Sequence, residues 1–128
     1  MLFIDLDQFK VVNDRYGHDA GDRVLRHVAE RLRTCIRPND TVARYGGDEF
    51  TVLLEGVSGV DEAQAIVHRI DESIGQPMAI AACIVHVNAC IGLAMRPTDA
   101  VTAAALMRFA DQAMYRAKAG RSGGPVGR

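Results

Sequence analysis

Apolar and polar positions fall along the chain in blocks whose spacing separates strands from helices. Residues 1–6 are apolar and β-favouring except for Asp5, and Asp7 follows at once, which predicts a buried strand delivering Asp5 and Asp7 at its end. Residues 9–16 read as a short helix stopped by Gly17, a residue suited to the left-handed position after a helix. From about 19 to 36, Val24, Leu25, Val28, Leu32, Cys35 and Ile36 recur at three- and four-residue steps, predicting a second helix with arginines on its other face and a cap at Asp19 or Asp22. Pro38-Asn39-Asp40 marks a turn, and residues 41–45 and 50–55 then read as a β-hairpin joined across Gly46-Gly47. Ala63, Ile66, Val67, Ile70 and Ile74 share one face of a helix over 61–74, and residues 80–87 and 88–95 read as two further strands. A last apolar stripe of Ala103, Leu106, Met107, Ala110, Ala113, Met114 and Ala117 predicts a helix up to Gly120, followed by a Gly/Pro tail or linker over 122–128. This order predicts an α+β fold, a split β-α-β sheet with helices packed on one face, over a domain of residues 1–121. No internal repeat appears.

Composition narrows the class. A chain of 128 residues with 48% apolar side chains suits one folded domain and excludes a wholly disordered linker. Its net charge of −1 supplies no field to hold a polyanion, so nucleic acid is not an expected partner. The longest apolar run, residues 78–85, is far short of the roughly 20 residues that span a bilayer, and the opening run meets acids with no basic leader or cleavage site, so the cytoplasm is the expected location. Cys35, Cys83 and Cys90 show no C-x-x-C spacing, which argues against a disulfide framework or a zinc knuckle. The histidines, at 18, 27, 68 and 86, have no metal-ligand spacing either. Lys10 and Lys118 are the only lysines among 15 basic residues, which singles each of them out.

The acids carry the chemistry. Asp5 and Asp7 point to the same face of an extended strand about 7 Å apart, so a cation should answer them. A tight Gly46-Gly47 turn puts Asp48 and Glu49 at a hairpin tip where no side chain stops a phosphate from approaching the backbone. Carboxylates brought together from two strands suit Mg²⁺, which takes a few carboxylates plus substrate phosphates. Spacing alone leaves open a plainer reading, in which Asp7 caps the following helix and Gly-Gly-Asp is only a turn.

Read as a whole, the string resembles the GGDEF family, the bacterial diguanylate cyclases. Asp5-Leu6-Asp7-Gln8-Phe9-Lys10-Val11-Val12-Asn13-Asp14 is similar to the family's D-x-D-x-F-K-x-x-N-D block. Gly17-His18-Asp19-Ala20-Gly21-Asp22 comes next, then the signature Arg44-Tyr45-Gly46-Gly47-Asp48-Glu49-Phe50, then a last-helix pattern over residues 110–118. The resemblance implies a fold like nucleotidyl cyclases and the polymerase palm, ferredoxin-like, with a largely antiparallel sheet flanked by helices. It also implies the reaction: two GTP condense to cyclic dimeric GMP with loss of two pyrophosphates, using two Mg²⁺ or Mn²⁺ per active site. The product's twofold symmetry implies a homodimer in which each ribose 3′-hydroxyl attacks the other nucleotide's α-phosphate, with positioning and charge stabilisation supplying the catalysis.

The resemblance further implies roles for single residues. Asp5 and the Leu6 carbonyl match metal ligands. Asp48 matches a metal ligand and possible base for the 3′-hydroxyl, with Glu49 beside it in the metal site. Gly46 and Gly47 admit the nucleotide to the hairpin backbone, Asn13 and Asp22 match guanine readers, and Lys10 and Lys118 match phosphate contacts. Arg37 and Asp40 match the family's R-x-x-D inhibitory product site, with Arg69 as a further arginine. Without the family, Asn13 reads as a turn residue, Asp22 as a cap, Lys10 and Lys118 as solvated charges, and Arg37 as a helix-end arginine.

The family pattern begins with a helix and a D-x-L-T-G-L-x-N-R-R block before the first strand. This chain opens inside that strand, so an N-terminally truncated domain is expected. Near the end, Arg121 sits three rather than the family's usual four places after Lys118, a rotation of about 100° on a helix. Two readings therefore remain at this level: an active cyclase, or a GTP- or cyclic di-GMP-binding regulatory module beside an upstream sensory or downstream phosphodiesterase domain.

Overall fold

The chain, seen in a computed structural model that describes residues 1–80 and 82–121, runs β1 (Leu2–Asp7), α1 (Phe9–Tyr16), α2 (His18–Cys35), β2 (Thr41–Gly46), β3 (Glu49–Leu53), α3 (Val60–Ile74), β4 (Met78–Ile80), β5 (Cys83–Val85), β6 (Asn88–Leu93) and α4 (Ala103–Arg121). The main sheet is antiparallel with strand order β2-β3-β1-β6. The first strand of the sequence is thus an inner strand of the sheet, and β3 and β6 both pair with it.

Strand β1 is buried on both faces, with Phe3 apolar on one and Leu2, Ile4 and Leu6 on the other, so both faces of the sheet need cover. Leu2, Ile4 and Leu6 join Phe50 and Val52 in a core with Val24, Val28 and Leu32 of α2 and Ile66, Ile70 and Ile74 of α3. Phe3 faces the other way, into a second cluster with Cys90, Ala94 and the α4 residues Leu106, Ala110 and Met114. This corrects the expectation of helices on one face: α4 lies behind the sheet. Gly92 makes the close approach possible, since a Cβ there would collide with the backbone carbonyl of Ala110 and the backbone nitrogen of Met114.

Three local expectations also change. The apolar run from Met78 is not one long strand over 80–87 but a separate small hairpin, β4 with β5, in the register Met78 opposite Val85 and Ile80 opposite Cys83. Neither Asp19 nor Asp22 caps α2: the cap position is Gly17, at φ 94°, and Asp19 sits in the first turn, where its charge suits the helix dipole. Asp7 does not cap α1, whose cap position is Gln8 in the left-handed region at φ 69° and has no side-chain cap hydrogen bond. The expected tail over 122–128 and the direction of the Arg121 side chain lie outside the described residues.

Candidate active site

The β2–β3 hairpin is irregular at its tip. Arg44 pairs with Phe50 and Gly46 with Glu49, so Tyr45 is the extra residue of a bulge, which bends the strand and re-aims the turn beyond it. The Arg44 guanidinium spans the bend: Nε donates to the Gly46 and Gly47 carbonyls at 3.3 and 3.2 Å, and Nη2 to the Gly47 carbonyl at 3.0 Å. A Cβ on Gly47 would meet nothing within 4 Å, so the turn is open to the outside, as the sequence suggests.

The same hairpin is tied to β1. Asp5 stands opposite Glu49 in the β1–β3 ladder, and the Leu6 N–H donates to the Asp48 carbonyl at 3.1 Å. Asp5, Leu6, Asp48 and Glu49, taken from two stretches more than forty residues apart in sequence, therefore meet at one end of the sheet. Asp5 is buried at 7% exposure. Its Oδ2 receives the Lys118 ammonium at 2.7 Å, carried across from α4. Beside it, Asp7 Oδ2 accepts the Cys90 thiol at 3.4 Å.

Charge crowding marks the group. Burial, and next the charge of Asp5, push the Asp48 carboxyl above its ordinary value; its own backbone N–H and Lys118 act the other way. Glu49 is raised by burial, then by Asp5, Asp48 and Asp111, with Lys118 opposing. The hydrogen bond to Asp5 holds the Lys118 ammonium above its ordinary value in spite of partial burial. Among the described residues, no three His, Cys, Asp or Glu side chains converge closely enough to hold a metal unaided. The donors that do meet here are hard carboxylate and carbonyl oxygens carrying excess negative charge, which fits an ion such as Mg²⁺ that completes its shell from water and phosphate.

Asn13 lies on α1 and Asp22 on α2. The Asn13 amide fills the space a Cβ on Gly21 would need, and Gly21 directly precedes Asp22. Asp22 also lines a cleft of about 390 Å³ that reaches Arg44 on the hairpin, with Arg26 and Arg33 along it and Phe50 among its lining residues. A larger cavity of about 510 Å³, lined by Met1, Leu53, Leu93, Met95, Pro97 and Leu106 among others, holds none of these acids and is no part of the site. Lys10 is exposed on the first turn of α1.

The R-x-x-D segment is held by bonds within itself and by two residues beyond it. Asp40 Oδ2 accepts the Arg37 backbone N–H at 3.0 Å, and Asp40 Oδ1 accepts the Glu55 N–H at 2.8 Å, so both carboxylate oxygens hold the turn. The Arg37 guanidinium pairs with Glu62 Oε2 at 2.7 Å. Arg37, Glu62 and Arg69 line one cavity of about 420 Å³, which brings the two arginines together.

Sequence reasoning passed over Arg44, Glu62 and Asp111 as single residues. Arg44 and Asp111 lie inside blocks that carry the family resemblance. For Glu62 no signal was available, because its partner Arg37 is 25 residues away.

Comparison with known proteins points the same way. The family profile described as "Diguanylate cyclase, GGDEF domain" matches residues 1–123. The chain is 48% identical over 124 residues to the bifunctional diguanylate cyclase/cyclic di-GMP phosphodiesterase MucR of Pseudomonas aeruginosa, covering 96% of this chain and 18% of that protein. It is 46% identical over 119 residues to the diguanylate cyclase TpbB of the same species, covering 92% of this chain and 27% of that protein. The chain thus spans well under a third of the length of either relative. A solved structure of TpbB comprising only the GGDEF domain superposes with a TM-score of 0.89 at 47% identity, over 91% of this chain and 69% of that one.

Proposed function

Because this chain belongs to the GGDEF family, we propose that it is a diguanylate cyclase domain, joining two GTP into cyclic di-GMP with release of two pyrophosphates. The observation that carries the reading is the register of Asp5 opposite Glu49, with Leu6 bonded to Asp48, which gathers acids at the open tip of a glycine turn. In this reading Asn13 and Asp22 hold the guanine edge. Lys10 and Lys118 take phosphate oxygens, and Gly46 and Gly47 let the nucleotide lie against the hairpin backbone. Asp48, whose affinity for a proton is raised by burial and by Asp5, receives the proton of the ribose 3′-hydroxyl.

Asp5, the Leu6 carbonyl, Asp48 and Glu49 would hold two Mg²⁺ or Mn²⁺ ions, which when bound neutralise phosphate charge and polarise the reacting oxygens. Each new O–P bond joins a 3′-oxygen of one nucleotide to the α-phosphorus of the other as the bond to pyrophosphate breaks. Two copies of the domain facing each other meet the twofold symmetry of the product. Arg37, Asp40 and Arg69 form the proposed product-inhibition site. No helix among the described residues is long and apolar enough to cross a membrane, and we place the activity in the cytoplasm. MucR, a bifunctional relative, suggests a phosphodiesterase domain as a neighbour, and a similar sensory box/GGDEF family protein of Caulobacter crescentus suggests a sensory domain.

Incubation with GTP and Mg²⁺ and then chromatography tests the proposal: cyclic di-GMP forms with the parent and is lost in Asp48→Ala. A folded dimer that binds GTP without turnover overturns it in favour of a nucleotide-binding regulatory module.

A further inference from the structure

Building on the reading of these acids as a metal–nucleotide site, we propose that Lys118 makes the site selective for a divalent ion arriving with a triphosphate over the free ion. Lys118 Nζ lies 2.7 Å from Asp5 Oδ2, in a pair whose Asp5 side chain is only 10% exposed. The contact is set by the fold. Strand β6 holds Gly92 opposite Phe3 and Cys90 opposite Asp5, so the two levels are two strand residues apart, about 6.7 Å. Helix α4 packs its Met114 backbone against Gly92, and Lys118 comes four residues later, about 6 Å along the axis. The two rises nearly match, and the ammonium arrives level with Asp5.

A free divalent ion approaching Asp5 therefore meets an oxygen already in a charge-assisted hydrogen bond, in a partly buried setting where such bonds are strong. Binding must break that bond or place two cations side by side. A triphosphate removes the conflict. Its oxygens accept from the ammonium, and they also complete the oxygen shell of the ion. Ion and nucleotide then strengthen each other's binding, and linkage requires the factor to be the same whichever is measured.

Titration of the chain with Mn²⁺, read by the electron paramagnetic resonance of the free ion, tests this without any turnover. A GTP analogue with a methylene between the α- and β-phosphorus supplies the triphosphate. Lys118→Met should bind Mn²⁺ alone about tenfold more tightly than the parent, and the gain from adding the analogue should shrink by a similar factor. Lys118→Arg, which keeps the charge, should stay close to the parent, and Lys118→Gln serves as the neutral variant if the methionine form fails to fold. Equal Mn²⁺ affinity for the parent and a folded neutral variant, with the analogue still promoting Mn²⁺ binding to the parent, overturns the role of Lys118 alone. Absence of Mn²⁺ binding to the parent even with the analogue overturns the underlying metal–nucleotide reading, and this proposal with it.

Discussion

Asn13 occupies the space that a side chain at position 21 would fill, so the amide on α1 is seated by the lack of a Cβ on α2. Glycine inside a helix is unfavourable by about 1 kcal/mol relative to alanine, and Gly21 lies in the first turns of α2. Gly21→Ala should therefore gain helix propensity and lose the amide position. The expected result is little change in thermal unfolding but roughly tenfold weaker GTP binding by calorimetry, equivalent to about 1.4 kcal/mol.

Asp48 and Glu49 are both held above their ordinary values of 3.8 and 4.5. A carboxyl raised in this way binds its proton more tightly in the fold than in the unfolded chain. It favours folding below the unfolded value, and that contribution is lost as pH rises through the folded value. Asp48→Asn should then raise the thermal midpoint at pH 7, with the difference closing toward about pH 3. A pH series of thermal melts on parent and variant checks the sign.

Gly92→Ala addresses the seat of α4. The atoms in the way are backbone, at Ala110 and Met114, so no side chain can rotate aside. Overpacking of this kind costs about 1–3 kcal/mol, and the rigidity of the obstacle favours the upper end. Chemical denaturation should show the loss, and any displacement of α4 should also weaken the Lys118–Asp5 pair.

Arg31 holds the end of α3. Its Nη1 donates to the carbonyls of Ser73, Ile74 and Gln76 at 3.1, 3.4 and 2.7 Å, and Nη2 donates to Pro77 at 2.8 Å. One guanidinium thus serves four carbonyls at and just beyond the end of α3, where the Ser73 carbonyl also accepts the Gln76 N–H at 3.3 Å. Arg31→Ala should destabilise the domain by about 1.5–3 kcal/mol, the range for hydrogen bonds to a charged group. Arg31→Lys should recover only part, because an ammonium cannot fork across several carbonyls. Urea titration separates the three proteins.

Much of this architecture is legible where one physical rule dominates. The stripes at Val24, Val28 and Leu32 and at Ile66, Ile70 and Ile74 yield α2 and α3 directly, because three- and four-residue spacing has no other outcome once one side is buried. Strand β1 also carries its own warning of a second helical layer. Phe3 is as apolar as Leu2 and Ile4, but periodicity does not say which helix covers it. The separation of β4 from β5 stays hidden because residues 78–85 are one unbroken apolar run. In the site, the motif residues Asp5, Asp48 and Glu49 are readable in sequence, whereas the pairing of Arg37 with Glu62 and the bond from the Glu55 N–H to Asp40 depend on packing between separate segments.

Strand β1 is clamped between two oily layers, and this ties chemistry to solidity. The spacing of Asp5 from Glu49 is inherited from how Leu2, Phe3 and Ile4 settle among their neighbours. A slip of one residue in that pairing would turn the strand inside out before it moved an acid out of line. The alignment of the acids is therefore as durable as the interior itself, and substitutions deep in either layer, remote from any carboxylate, will be felt at the hairpin tip.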